Sequence, residues 1–223
     1  FHRHQQEQFV FETLERYQQA NTKGYFKAEV VTVEVKDNKG NVIIVAQDEQ
    51  PSRVKPEKFS SLKPAFRAGG TITAATSSPL SDGAAALAIT SLEGAHARGL
   101  TPLAKVVAYC SHAQQPAQFI SAPVQAIKKV CHQAEWTLKD VDLFEINEAF
   151  ALVPMIVMHD LGVPREKINV HGGACVLGHP IGASGARIVV SLVHALIQQG
   201  RKRGIAAICI GGGEATAIAI ELI

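Results

Sequence analysis

The 223-residue chain lacks the signals that mark several large classes of protein. Its four cysteines, Cys110, Cys131, Cys175 and Cys209, lie far apart and form no Cys-x-x-Cys pair. That spacing argues against a disulfide framework and fits a reduced compartment, so a cytoplasmic location is expected. The formal net charge of +2 is too small to point to nucleic acid or to a membrane surface. No apolar run reaches the length needed to cross a bilayer. There is no secretory signal, and the terminal Ala-Ile-Glu-Leu-Ile is no organelle address. The phosphate-loop pattern fails for want of Gly-Lys-Ser/Thr, and Gly178, Gly182 and Gly185 have the wrong spacing for a dinucleotide fingerprint. Gly182-Ala183-Ser184-Gly185 is not a nucleophile elbow. Because the chain starts at Phe1, inside a helical pattern, further residues are expected before it.

What is present divides in two. Up to about Leu80 the pattern is irregular α+β. Phe9, Val10, Thr13, Leu14 and Tyr17 recur at 3–4 spacing and predict a helix over 3–19. Two β-branched runs, 29–36 and 41–46, flank Asp37-Asn38-Lys39-Gly40 and predict a hairpin. Residues 48–56, charged and with two prolines, read as a surface loop. From Asp82 strands and helices alternate, which predicts a layered α/β fold with strand-end loops offered as the site. Helices are expected over 91–98 behind a Ser91 cap, over 123–134 with Pro123 at the first position, over 148–161 behind an Asn147 cap, and over 181–199. Arg201-Lys202-Arg203 is expected to complement the dipole of that last helix. Strands are expected over 104–109, 141–146, 168–170, 205–210 and 216–221.

The richest stretch is His171 to Gly185, where imidazole and thiol stand among glycines, answered by Cys209-Ile210-Gly211-Gly212-Gly213. Glycine lets backbone approach a ligand closely. His171, Cys175 and His179 stand four apart, but the glycines and Pro180 argue against a helix and no fourth ligand follows, so no metal site is expected. Acyl transfer fits better. A strand ending at Cys209 and opening into glycines offers a thiol beside free N–H groups, the kind of donor that stabilises an oxyanion. A thiolate is favoured near cationic groups or helix N-termini, which would lower the pKa of such a thiol. Each residue also has a plainer reading: Cys209 as core packing, His179 as a loop residue, Asn147 as a helix cap.

Three stretches resemble the late motifs of the thiolases. They are Asn147-Glu148-Ala149-Phe150-Ala151, then Gly172 to Arg187 with Gly178-His179-Pro180 inside it, then Cys209-Ile210-Gly211-Gly212-Gly213-Glu214. The likeness is greatest to biosynthetic acetyl-CoA acetyltransferases, and it extends to Gln5–Phe9, Leu62–Phe66, Ser77-Ser78 and Ser81-Asp82-Gly83, covering essentially the whole chain. The resemblance implies a layered α/β/α/β/α fold and a reversible Claisen condensation, two acetyl-CoA giving acetoacetyl-CoA and CoA. It implies Cys209 as the acid and base at the α-carbon and His179 as activator of a nucleophilic thiol and donor to the enolate oxygen. Asn147 would hold the water completing that oxyanion hole, and the Gly211 N–H would serve the other hole. For coenzyme A it implies Ser78 near the pantetheine amides, Phe66, Ala74 and Phe150 as apolar walls, and Arg53 toward the nucleotide end.

Two departures qualify this. Pro79 stiffens the segment after Ser78, where relatives often read Asn-Ala-Ser-Gly-Leu-Asn-Asp-Gly, leaving acyl-chain preference open. The family's nucleophilic cysteine motif is absent, and neither Cys110 nor Cys131 lies in anything resembling it. The chain therefore resembles the C-terminal half of a thiolase: a loop region covering CoA over 1–81, a segment completing the N-terminal domain over 82–103, and the C-terminal domain over 104–223. The expected partners are acetyl-CoA, acetoacetyl-CoA, CoA, the missing N-terminal half and further copies in a dimer or tetramer, with no prosthetic group. The alternatives are a catalytically silent CoA-binding half-chain, a 3-ketoacyl-CoA thiolase of longer chain preference, or a nucleotide-binding α/β domain.

Overall fold

The computed structural model describes residues 1–223. Helix α1 (Arg3–Thr22) forms where the 3–4 spacing predicts it and buries Phe9, Val10, Thr13, Leu14 and Tyr17. Strands β1 (Val33–Lys36) and β2 (Val42–Val45) pair antiparallel, and Asp37 closes their turn by accepting from the N–H groups of Lys39 and Asn41. The first strand is shorter than expected because Glu29 and Val30 bond back to Phe26 O, finishing the 3₁₀ turn Tyr25–Ala28. Inside the expected loop, Gln50–Arg53 makes one helical turn, α2, whose Pro51 is buried.

No regular element forms between Ser81 and Thr90. Helix α3 (Leu92–Ala97) follows, capped by Ser91 Oγ, which accepts from Gly94 N at 3.0 Å. Then come β3 (Ala104–Ala113), α4 (Ala122–Gln133), β4 (Leu143–Ile146), α5 (Leu152–Leu161), α6 (Ala174–Leu177), α7 (Ser184–Gln199), β5 (Arg203–Ile210) and β6 (Glu214–Leu222). The four longer-range strands form one sheet in the order β3-β6-β5-β4, parallel only between β4 and β5. Period-two alternation sorts the side chains by face. Ile205, Ala207 and Cys209 join Val124, Ile127 and Val130 of α4 in one core. Ala206 and Ile220 join Ile188, Leu192 and Leu196 of α7 in a second core on the opposite face. A third core lies under α1, where Phe9, Val10 and Leu14 meet Ala151, Met155 and Val176.

Five local expectations are corrected. Asn147 is no helix cap, and α5 starts at Leu152. The segment between is pinned to the chain beside it: Ser78 N and Oγ both donate to Ala149 O, and Ala151 N donates to Thr76 O at 2.9 Å. The expected strand 168–170 reduces to isolated bridges, because Asn169 turns left-handed at φ 47° and pairs with Ile146 through its side chain. Helix α7 starts at Ser184, since Pro180 O first closes a turn by accepting from the N–H groups of Ala183 and Ser184. Pro123 occupies the second position of α4, because that helix begins at Ala122. Arg203 begins β5, where it bonds Glu221 at 3.0 Å and stacks on Trp136, so it does not serve the α7 dipole.

Candidate active site

Parallel pairing of β4 and β5 puts their C-terminal ends side by side. Ile146 registers with Ala207, and Asn147 N donates to Ala207 O at 3.0 Å. Asn147 therefore leaves β4 next to the C-terminal end of β5, where Cys209 sits two residues beyond Ala207. His179 comes from the turn between α6 and α7. Its ring meets Asn147, with Nε2 3.3 Å from Asn147 Nδ2. Its other nitrogen, Nδ1, lies 2.6 Å from Ser184 Oγ.

That pair of contacts favours one imidazole tautomer. The Ser184 hydroxyl donates to Pro180 O at 3.0 Å, so its oxygen accepts from His179 Nδ1–H. Nε2 then carries the lone pair, which accepts from the Asn147 amide. Burial, and after it the charge of Arg187, lowers the pKa of His179, which keeps the ring neutral near pH 7. Asn147 Oδ1 is buried and has no partner, an acceptor left open to a water or a substrate. Sequence reasoning passed over Ser184, weighing it only as part of a failed elbow motif. Its signal was its place in the turn that starts α7, five residues after His179.

Cys209 is buried and faces the α4 side of the sheet. The expectation of a lowered thiol pKa is wrong: burial pushes this thiol up to about 11, because no cation stands by to favour the thiolate. The neighbouring turn, Gly211 to Gly213, is closed by Gly213 N donating to Ile210 O. The N–H of Gly211 takes no part in those backbone bonds and the residue is exposed.

Of the residues considered for coenzyme A, Phe66, Ser78 and Phe150 are brought together around the run that follows Ala74. A 3₁₀ turn at Ala74–Thr76 leads into an extended run to Leu80 that lies across the site. Ser77 bridges Phe150, Leu80 bridges His179, and His179 N donates to Pro79 O at 3.0 Å. Ala74 is exposed at the head of this run, and Ser78 Oγ is held by Ala149 O at 3.1 Å. Phe150 meets Phe66 edge-on at 5.9 Å, and the Phe66 ring stands 71% exposed, an apolar wall open to a ligand. Arg53 lies on α2, exposed and paired with Glu49 at 2.6 Å. The other two residues of the His171–Cys175–His179 series point elsewhere. His171 packs on Tyr25 and Phe26, and the Cys175 thiol faces Glu148 O.

The glycines of this region have definite jobs. Gly178 holds φ 97° immediately before His179, and a side chain there would overlap Ser81. Gly173 lies so close to the Glu148 carboxylate that any Cβ would collide with it.

Comparison with known proteins places the chain in a family. Residues 100–222 match the thiolase C-terminal domain, and residues 1–93 match the thiolase N-terminal domain. A probable acetyl-CoA acetyltransferase of Dictyostelium discoideum is 44% identical over 98% of this chain and 53% of its own length. The crystal structure of the Bacillus anthracis acetyl-CoA acetyltransferase superposes with a TM-score of 0.96 at 40% identity, over the whole of this chain and 57% of that one. Human mitochondrial 3-ketoacyl-CoA thiolase superposes at 0.91 with 34% identity, again over the whole of this chain and 56% of that one. The chain thus spans about half the length of the curated relatives it matches. Its fold is the mixed α/β fold of the solved thiolases, and the chain belongs to the thiolase family.

Proposed function

We propose that this chain carries the acid–base half of an acetyl-CoA C-acetyltransferase site, catalysing the reversible condensation of two acetyl-CoA to acetoacetyl-CoA and CoA. The observation that carries this reading is the joining of His179 to Asn147 at the end of β4, beside Cys209 on the adjoining strand. The chain is read as the C-terminal half, divided as 1–81, 82–103 and 104–223, with the nucleophilic cysteine supplied by the rest of the protein. Unpartnered apolar surface supports that division. Ile89, Leu92, Leu100 and Leu103 are all more than half exposed in a stretch without a sheet of its own. Assembly as a dimer or tetramer belongs to the same proposal.

The chemistry follows from the two protonation states. His179 Nε2, with its lone pair free of a proton, takes the proton of the nucleophilic thiol as that sulfur attacks the thioester carbonyl of the first acetyl-CoA. The tetrahedral oxyanion is met by the free N–H of Gly211. When it collapses, the acetyl group stays on the nucleophile. CoA leaves as a thiolate and takes the proton of Cys209, whose high pKa keeps that proton available at neutral pH. The resulting Cys209 thiolate is a stronger base for having a pKa of about 11, and it removes an α-proton from the second acetyl-CoA. His179, now protonated at Nε2, donates to the enolate oxygen, with a water held by Asn147 as the second donor. The enolate carbon then attacks the acetylated cysteine, forming the new C–C bond and releasing the nucleophilic sulfur, which recovers its proton from His179.

Coenzyme A is placed along the 74–80 run, with Phe66, Ala74 and Phe150 against the pantetheine arm, Ser78 near its amides and Arg53 toward the nucleotide. A reducing, cytoplasmic compartment is proposed from the cysteines, all four of which are free. No helix is long and apolar enough to cross a membrane.

The test uses the full-length protein. Cys209→Ser should lower exchange of acetyl-CoA α-protons with D₂O by about 10²–10⁴-fold, the usual worth of a general acid–base group. Acetylation of the other active-site cysteine should persist, seen as a mass increment. Exchange undiminished in the variant would remove Cys209 from the role. CoA binding without exchange or condensation in the wild type would instead make the chain a silent binding module.

A further inference from the structure

Glu148 has no place in the chemistry above, yet it is completely buried beside it. Its Oε1 accepts from Asn169 Nδ2 at 2.8 Å and from Thr13 Oγ1 at 3.2 Å. Its Oε2 accepts from Cys175 N at 3.1 Å. These bonds reach three separate parts of the chain. Thr13 belongs to α1. Asn169 grips the end of β4, accepting from Ile146 N and donating to Ile146 O, each at 2.8 Å. Cys175 N is a first-turn donor of α6, whose cap position is Gly173 and supplies no side chain. The remote carboxylate therefore caps α6, two residues ahead of His179. A buried carboxylate is costly to retain unless its lone pairs are satisfied, and here they are satisfied by groups that carry the site.

We propose that Glu148 is a positioning residue for the acid–base step: one carboxylate fixes Asn147, its chain neighbour, and through α6 the turn that presents His179. The 3.3 Å contact between Asn147 and His179 depends on both anchors at once. This rests on the function proposed above and adds to it a residue that touches neither substrate nor reacting atoms. Gly173 is part of the same device, since any side chain there would drive the carboxylate from its seat.

The experiment measures α-proton exchange of acetyl-CoA in D₂O with the full-length protein, its E148Q, N147A and G173A variants, and the E148Q/N147A double variant. Glutamine keeps the size but must turn a donor toward Cys175 N–H or toward Asn169 Nδ2. Misplacement of this kind by about 1 Å costs on the order of 10²-fold. E148Q should therefore lower kcat for exchange about 30- to 100-fold with KM changed less than about threefold. G173A, which displaces the carboxylate without altering it, should act in the same direction. In the N147A background the further loss from E148Q should be at least about fivefold smaller, the non-additivity of residues acting as a unit. A merely structural role gives equal losses in both backgrounds, and that result overturns the inference, as does a kcat for E148Q within about threefold of wild type. If E148Q does not fold, G173A decides by the same kcat criterion. If neither folds, the carboxylate serves stability alone and the inference fails. Wild-type protein without any exchange overturns the proposed function and this inference together, whereas wild-type exchange with unaffected variants overturns only this one.

Discussion

Removing the Ser184 hydroxyl isolates the tautomer of His179 from every other feature of the site. In the folded protein that oxygen accepts from Nδ1–H at 2.6 Å while its own proton goes to Pro180 O at 3.0 Å. Ser184→Ala leaves Nδ1–H without an acceptor in a half-buried setting. A donor stranded in this way costs about 1–3 kcal/mol. The ring can avoid that cost by moving its proton to Nε2, but Nε2–H would then oppose the Asn147 amide donor 3.3 Å away. Either outcome penalises the state in which Nε2 offers a lone pair, and the same 1–3 kcal/mol corresponds to about 5- to 150-fold in rate. The full-length Ser184→Ala protein should lose α-proton exchange and cysteine acetylation by that factor. ¹⁵N spectra of the imidazole nitrogens check the premise directly. In the wild type Nδ1 should be pyrrole-like and Nε2 pyridine-like, and the variant should mix or reverse them. A wild-type spectrum with Nδ1 pyridine-like would refute the reasoning, because Ser184 would then be donating to the ring.

Two predictions concern stability against pH, and they have opposite signs. His171 is buried, its Nε2 has no partner, and burial, with Lys23 adding to it, drops its pKa from 6.5 to about 4. Below pH 6.5 the unfolded chain takes up a proton that the folded chain refuses, so stability is lost as pH falls from 6.5 toward 4. At 1.36 kcal/mol per unit the loss is at most about 3 kcal/mol. His171→Phe keeps the packing on Tyr25 and Phe26, and its urea-unfolding free energy should fall less steeply over that window; parallel curves for the two proteins would count against the assignment. Glu145 is raised to about 8, by burial against the pull of Arg187 at 4.0 Å, so its folded form holds a proton that the unfolded chain gives up. Its contribution is complete below pH 4.5 and is lost as pH rises toward 8; Glu145→Gln should flatten that alkaline slope, and an unchanged slope would refute it.

The elements were legible in this sequence where local chemistry decides them. The spacing of Phe9, Val10, Leu14 and Tyr17 fixes a helix by itself, and Asp37 to Gly40 fixes a turn by itself. Boundaries failed where distant groups compete for the same backbone. Nothing around Asn147 in the sequence shows that Ala149 O and Ala151 N are taken by Ser78 and Thr76, some seventy residues earlier. Those bonds hold the chain extended and postpone α5 to Leu152. Asn169 is a similar case, since a side chain that pairs with Ile146 leaves no periodic trace.

The site shows the same division between reactive and supporting groups. His179, Asn147 and Cys209 stood out because imidazole, amide and thiol beside glycine-rich turns are unusual types in unusual places. Ser184, Glu148 and Asn169 did not, because serine, glutamate and asparagine are common and each acts only through a partner elsewhere in the chain. The thiol shows how far such blindness extends into chemistry. Residue type alone suggested a lowered pKa for Cys209, whereas its alternation with Ile205 and Ala207 puts the sulfur in the α4 core. There burial holds the proton on, to about pH 11. In the proposed reaction a group so placed does not begin as a base; it first gives its proton to a leaving thiolate, which gains basicity as its bond to carbon breaks. In the proposed reaction the order of events, acid before base, follows from the face of β5 on which Cys209 lies.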